Sequence, residues 1–225
     1  MKETRKIKGD IIRKIEGEAK KYFNGASGCH DWTHVERVKN LALRIGKEER
    51  ANLSVLEISS LLHDIGRKKE METKGLFCHA EHGGKIAGEI LRKYNLEKET
   101  TENIIHSILS HRFRKNLKPT TLEARILFDA DKLDSIGAVG IGRDFLFAGN
   151  AGSGTMYTGS EKKLAKTGKD YSFTKEDSAV LEYEIKLKYL KNGMITKTGK
   201  KIAKKRHEFM VNFFDRFSKE VEGVL

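Results

Sequence analysis

Residues 58–67, ISSLLHDIGR, decide the fold: an apolar run at helical spacing ends on two polar groups, His63 and Asp64. Leu56, Ile58, Leu61, Leu62 and Ile65 form a wide apolar face on a helix expected from Val55 to Ile65, with Ser54 as its N-cap. A helix this apolar belongs at the centre of a core. An unpaired imidazole or carboxylate would be costly there, so something must satisfy His63 and Asp64. A lone His-Asp dipeptide arises often by chance, and its company decides its meaning.

His34, in HDWTHVERV, lies one helix upstream on the edge of a stripe made by Val35, Val38, Leu41, Ala42 and Ile45, with Gly46 near the C-terminus of that helix. Asp131, in LFDADKLDSIG, stands one turn beyond Leu127 and beside Ala130, on the inward side of a helix expected from Thr121 to Ser135. Pro119 suits the start of that helix. Further helices are expected for His79 to Tyr94 and for Glu97 to His111. Pro119 is the single proline and alternating β-branched runs are scarce, so the chain reads as all-α. From Gly149 to Ser172 the periodicity stops, and Gly149, Gly152, Gly154, Gly159 and Gly168 read as a loop, either a plain connection or a lid. Helices over Thr174 to Leu190 and Lys200 to Val221 follow. The expected organisation is a core over 1–148, a Gly-rich loop over 149–173 and C-terminal helices over 174–225 that pack on the core.

Length and charge bound the function. A chain of 225 residues fits one large or two small domains, since single cores grow to roughly 250 residues. No run approaches the ~18 apolar residues of a membrane span, and MKETRKIKGD lacks the apolar core of a signal peptide. Cys29 and Cys78 have no CxxC spacing, so reduced thiols and a cytoplasmic setting are expected. The surplus of 44 Lys+Arg over 32 Asp+Glu, a net +12, fits attraction of phosphates or nucleic acid, or a thermophilic surface. Nine of those basic residues and no acidic one fall between Lys186 and Arg206, a run whose simplest reading is a solvated face.

Seven of the eight histidines lie between His30 and His111, among the core helices. His34, His63, Asp64 and Asp131 on three of those helices make a mixed nitrogen and oxygen site with room for water. Such a donor set suits a divalent ion, Mn²⁺ first, with Mg²⁺, Fe²⁺, Ni²⁺, Co²⁺ or Zn²⁺ as alternatives. A divalent ion in an open site acidifies water and withdraws charge from a phosphoryl group.

At these positions the sequence resembles the HD-domain metal-dependent phosphohydrolases, whose H…HD…D pattern falls on His34, His63, Asp64 and Asp131. It is most similar to small standalone members with HDWxHxxRV-like and DADxLDxIGAxGIxR-like segments, here HDWTHVERV (30–38) and DADKLDSIGAVGIGR (129–143). The likeness covers roughly the first 150 residues. It implies an HD-type helical bundle with a C-terminal helical extension. It also implies hydrolysis of (deoxy)nucleoside triphosphates to monophosphate and pyrophosphate through a metal-activated water.

His79 precedes Gly83 in HAEHGG at a spacing that resembles the HxxxG of two-metal relatives, and His111 falls near another of their ligands. The adjacent histidine pair of those relatives is missing, so one ion is expected. His79 and His111 then become catalytic candidates that contact a phosphate or pass a proton, alongside Asp64 itself. Asp134, one turn from Asp131, is a candidate for orienting a water. Arg67, Lys68, Arg112, Lys132 and Arg143 are candidate phosphate contacts, Arg143 foremost because it follows the glycine-rich IGAVGIG.

A cyclic-nucleotide phosphodiesterase or a (p)ppGpp hydrolase would share the same metal core. A basic nucleic-acid-binding module is the non-enzymatic rival, and no helix-turn-helix, RRM or zinc-finger signature supports it. The expected partner is a nucleotide or another phosphorylated small molecule, with no membrane, and the oligomeric state stays open between monomer and dimer.

Overall fold

A computed structural model describes residues 7–25, 28–73, 76–112, 117–151, 155–171 and 174–225. Gly152, Gly154 and Ser172 of the expected loop, and residues 1–6 at the start of the chain, lie outside these. Among the described residues every regular element is helical, as the all-α reading expects. Among the described residues no helix is long and apolar enough to cross a membrane. The chain forms two compact units, residues 1–131 and 132–225.

The first unit is built around α3, Leu53–Leu62, which packs against α1 (Gly9–Lys20), α2 (Trp32–Glu49) and α6 (Lys98–Ser110). Ile58, Leu61 and Leu62 of α3 are buried together with Ile12 and Ile15 of α1, Val35 of α2, and Ile104 and Ile108 of α6. At ~1.5–3 kcal/mol for each large apolar side chain taken out of water, such a cluster dominates the stability of the unit. Helix α4 (Arg67–Glu72) packs on α5 (His79–Arg92), and α5 on α6. The start of α7 (Leu122–Asp134) is tied down by buried Glu123: Oε1 accepts from the Asn52 backbone N–H (2.8 Å) and Oε2 from Asn103 Nδ2 (2.9 Å).

Several local expectations change. The N-cap of α3 is Asn52, whose side chain accepts from the N–H groups of Ser54 (3.1 Å) and Val55 (3.2 Å), so Ser54 lies inside the helix. The helix stops at Leu62, and the histidine and aspartate follow in a turn. Gly46 does not end α2. It sits within the helix, where an added Cβ would meet Leu56 Cδ1 at 2.3 Å, and it permits close approach of α3. Arg50 in the left-handed conformation (φ 58°) closes α2. The sequence gives no expectation of α1, which does form.

The second unit holds α8 (Gly137–Ala151), α9 (Glu161–Leu164), α10 (Ala179–Ile185), a 3₁₀ segment Leu187–Gly193 and α11 (Lys197–Val221). Phe145 of α8 meets Phe213, Phe214 and Phe217 of α11 at 5.9–6.4 Å between ring centroids, and Tyr183 of α10 stacks on Phe214 at 4.1 Å. The expected Gly-rich loop therefore contains helix α9 and a 3₁₀ turn, Ala165–Thr167. Buried Glu161 holds this segment, accepting through Oε1 from the backbone N–H and hydroxyl of Thr158 (2.5 and 2.8 Å) and from Ser178 Oγ (3.2 Å). The helix expected over Thr174 to Leu190 is shorter and gives way to the 3₁₀ segment.

Candidate metal centre and active site

Each ligand candidate is delivered by a local device. Asp31 caps α2, its carboxylate accepting from Thr33 N (3.0 Å) and His34 N (3.3 Å), and this fixes the first turn, where His34 stands. The turn after α3 presents His63 and Asp64, both buried. Gly66 closes that turn in contact with the start of α5. A Cβ on Gly66 would stand 2.3 Å from the His79 carbonyl and 2.7 Å from the Gly83 N, so only glycine lets His79 approach Asp64 this closely. The last turn of α6 leads to His111.

In the first unit these side chains converge into two adjoining groups. His34, His63 and Asp131 have donor atoms within 4.8 Å of one another, and so do Asp64, His79 and His111. Asp64 joins the groups: Oδ2 lies 3.7 Å from His34 Nε2 and 3.9 Å from His63 Nε2, while Oδ1 lies 3.2 Å from His79 Nε2 and 3.7 Å from His111 Nε2. His34 Nε2 is 3.5 Å from Asp131 Oδ1. The expected set of His34, His63, Asp64 and Asp131 is thus brought together, with His79 and His111 on its other side.

The tautomers follow from partners that can only accept. His63 Nδ1 donates to the Ser60 carbonyl (2.7 Å), His111 Nδ1 to the Ile108 carbonyl (2.6 Å), and His79 Nδ1 to Glu70 Oε2 (2.7 Å). Arg112 Nη1 lies 2.8 Å from the same His79 Nδ1, but it donates to Glu70 Oε1, and the carboxylate decides where the ring proton sits. In all three rings the Nε2 lone pair faces inward. His79 and His111 therefore set Nε2 atoms with facing lone pairs 3.1 Å apart, a distance at which a shared cation removes the repulsion, and His63 Nε2 lies 3.3 Å from His34 Nε2. Burial pushes His63 and His79 down to about 4 against the pull of Asp64, so both are neutral ligands at pH 7. Burial works to raise Asp64, but the Arg67 guanidinium, bound to both of its oxygens, outweighs it and holds the carboxyl well below its ordinary range. Neutral imidazoles and ionised carboxylates are the protonation states that a divalent ion requires, so this donor set fits one.

Arg67 grips Asp64 through two bonds, Nε to Oδ2 (3.2 Å) and Nη2 to Oδ1 (3.1 Å), and reaches Glu70 through Nη1 (3.1 Å). Glu70 is buried under three charge-assisted contacts, from Arg67, Arg112 and His79. Burial would raise its carboxyl, but the bond from His79 and both arginines bring it down to about 2. Sequence reasoning missed Glu70 because RKKEME reads as a solvated stretch. The signal that was present is the spacing of Asp64, Arg67 and Glu70 at i, i+3 and i+6, which puts them on one side of the chain.

Other candidates fall elsewhere. Lys68 is exposed and donates to the Asn24 carbonyl (3.4 Å). In the second unit, Arg143 donates to Asp134 Oδ2 (2.7 Å), so the foremost phosphate candidate and the water-orienting candidate form an ion pair. Lys132 is half-buried in that unit. Of the basic run, Lys186 pairs with Glu182 and Lys188 with Glu184 one turn back, while Arg206 donates to the Leu133 carbonyl. A cleft of about 220 Å³ opens beside the metal centre, lined by Asp64, Arg67, Lys68, His30, Tyr22 and Phe23 among others.

A family model for the HD domain matches residues 31–136. Together with the relatives below, this places the chain in the HD-domain phosphohydrolase superfamily, the metal-dependent phosphohydrolases. Among individual proteins, Bacillus subtilis YpgQ, described as uncharacterized, is 34% identical over 202 residues, covering 88% of this chain and 87% of YpgQ. The crystal structure of YpgQ in complex with ADP matches with a TM-score of 0.69 at 29% identity, over 94% of this chain and 95% of that one. An HD-superfamily hydrolase from Bacillus thuringiensis gives a TM-score of 0.71 at 28% identity, over 95% and 97%.

Proposed function

We propose that this enzyme hydrolyses nucleoside triphosphates, deoxy or ribo, to monophosphate and pyrophosphate with Mn²⁺ as the preferred ion, acting in the cytoplasm. The observation that carries the reading is the centre itself: four imidazoles and two carboxylates, three of the Nε2 lone pairs fixed inward by named acceptors, beside an open cleft. Support for a nucleotide comes from YpgQ, crystallised with ADP.

His34, His63, Asp64 and Asp131 would hold the ion, which supplies Lewis acidity toward water and the phosphoryl oxygens when bound. Asp64 is kept ionised by Arg67, so its oxygens stay available on both sides. His79, oriented by Glu70, and His111, oriented by the Ile108 carbonyl, present Nε2 lone pairs that can take the proton lost by the attacking water and then contact the phosphate or pass that proton to the leaving group. Their grouping with Asp64 also favours a second reading, in which these three donors take a second ion. Arg67, on the wall of the cleft, and Arg112 hold Glu70 in place and so fix the His79 ring. In the second unit, Arg143 and Asp134 act as a pair, and phosphate binding by Arg143 requires it to exchange or share that partner.

The test is a panel of (deoxy)nucleoside triphosphates, cyclic nucleotides and (p)ppGpp with demetallated protein, with and without Mn²⁺, resolving pyrophosphate from orthophosphate. A His63→Ala, Asp64→Ala double variant runs alongside. Pyrophosphate release that depends on Mn²⁺ and vanishes in the variant supports the proposal. Turnover confined to cyclic nucleotides or (p)ppGpp, or full activity without metal, refutes it.

A further inference from the structure

The cleft that reaches Asp64 and Arg67 is also lined by the large apolar groups Phe23, Tyr22 and Met71, with Gly25, His30, Lys68 and Glu72 completing its walls. Phe23 is buried and held edge-on by Trp32, with centroids 5.4 Å apart and planes at 73°, so this wall is fixed. Tyr22 and Met71 are 38% and 58% exposed, large apolar groups left at the surface next to a buried charged centre. A fixed aromatic wall, a second ring at the rim and an adaptable thioether form a slot suited to a flat, partly apolar group. Asp64, which belongs to the candidate metal centre, gives the cleft an ionic side together with Arg67, which binds it through two bonds. At about 220 Å³ the cleft is smaller than the ~300–1,000 Å³ of pockets that enclose a whole drug-sized ligand, so it takes part of a substrate and leaves the rest outside.

We propose that this slot receives the base and sugar of the nucleotide, with Tyr22 and Met71 closing over the base and the phosphates directed to the Asp64 side. The inference rests on the nucleotide reading above. It adds a specificity: recognition by stacking on Phe23 and Tyr22 is indifferent to base identity, since every base has a π-face, so the enzyme accepts all the common bases with similar affinity.

The experiment compares a non-hydrolysable α,β-methylene nucleoside triphosphate with inorganic tripolyphosphate, by calorimetric titration of Mn²⁺-loaded protein. The wild type binds the nucleotide more tightly than tripolyphosphate. Tyr22→Ala and Met71→Ala each weaken the nucleotide by roughly 10-fold, the scale of one lost base-stacking partner, without an equal loss for tripolyphosphate. Tyr22→Phe, which keeps the ring, restores the nucleotide. Both side chains lie at the surface, and two separate variants guard against one that misfolds. If both alanine variants bind the nucleotide as the wild type does, or if one base is preferred more than about 100-fold over the others, the slot proposal fails while the nucleotide reading stands. If the wild type binds tripolyphosphate as tightly as the nucleotide, the slot contributes nothing and is overturned. If it binds neither, the nucleotide reading falls and the slot with it.

Discussion

Asp144 offers a quantitative test of the second unit. It lies on α8 facing α10, 8% exposed, and its Oδ2 is enclosed without a hydrogen-bond partner. Burial, reinforced by Glu182 and Asp177 and only partly offset by Lys186 and Arg143, pushes its carboxyl up to about 8. In the unfolded chain the group returns to roughly 3.9. Between those values the folded protein holds a proton that the unfolded protein has lost, so stability falls as pH rises, by about 1.4 kcal/mol per pH unit. The penalty is absent below the unfolded value, is about 4 kcal/mol at pH 7, and levels off above about pH 8 at about 6 kcal/mol. Asp144→Asn removes the titration at a pH-independent cost of ~1–3 kcal/mol for an amide that finds no partner. Urea unfolding of both proteins, followed by aromatic fluorescence from about pH 5 to pH 9, should show curves that cross. The variant gains on the wild type by about 1.4 kcal/mol for each unit up to about pH 8, and is the more stable protein by neutral pH. Parallel stability curves would show that Asp144 is ionised in the fold and that the reasoning is wrong.

Other outcomes follow from the metal centre and the turn that builds it. Glu70→Gln keeps the size of the side chain but loses the obligate acceptor that orients His79, and kcat should fall by ~10–100-fold with the ion retained; an unchanged kcat would show that the His79 ring is held without it. In metal analysis of purified variants, His34→Ala should lose the tightly bound ion and His79→Ala should keep it. Loss in both, or two ions per wild-type chain, would place ions in both donor groups. Gly66→Ala should destabilise by at least ~1–3 kcal/mol, because its Cβ meets backbone at 2.3 Å, whereas Gly83→Ala meets nothing nearer than 3.4 Å and should melt close to the wild type.

The helices that carry the centre were legible wherever the 3.6-residue stripe was strong. Val35, Val38, Leu41 and Ile45 announced α2, and the apolar density around Leu61 announced the central α3. Helix α1 escaped because Lys8 provides no side-chain cap and Gly9 and Gly17 weaken the local preference; burial of Ile12, Ile15 and Ala19 in the core sustains it. Helix α9 escaped for a different reason. A four-residue helix has no period to read, and its position depends on Glu161 being surrounded by hydroxyls and an N–H from Thr158 and Ser178. The metal donors could be named one by one, but their division into two groups around Asp64 could not, because it depends on the closeness of α5 at Gly66. The arginines illustrate the same limit: a basic residue near a ligand looks available for phosphate until the fold supplies its carboxylate.

That pairing has a kinetic corollary. Arg67, Arg112 and Arg143 each face a carboxylate at bonding distance, so their fields largely cancel within a Debye length, ~8 Å at physiological ionic strength. The long-range pull of the +12 surplus on an approaching polyanion therefore comes from basic residues elsewhere, such as Lys162, Lys166 and Lys169 around a hollow of the second unit. Added salt acts on encounter, lowering kcat/KM, and leaves the turnover of substrate already in place to the shielded centre.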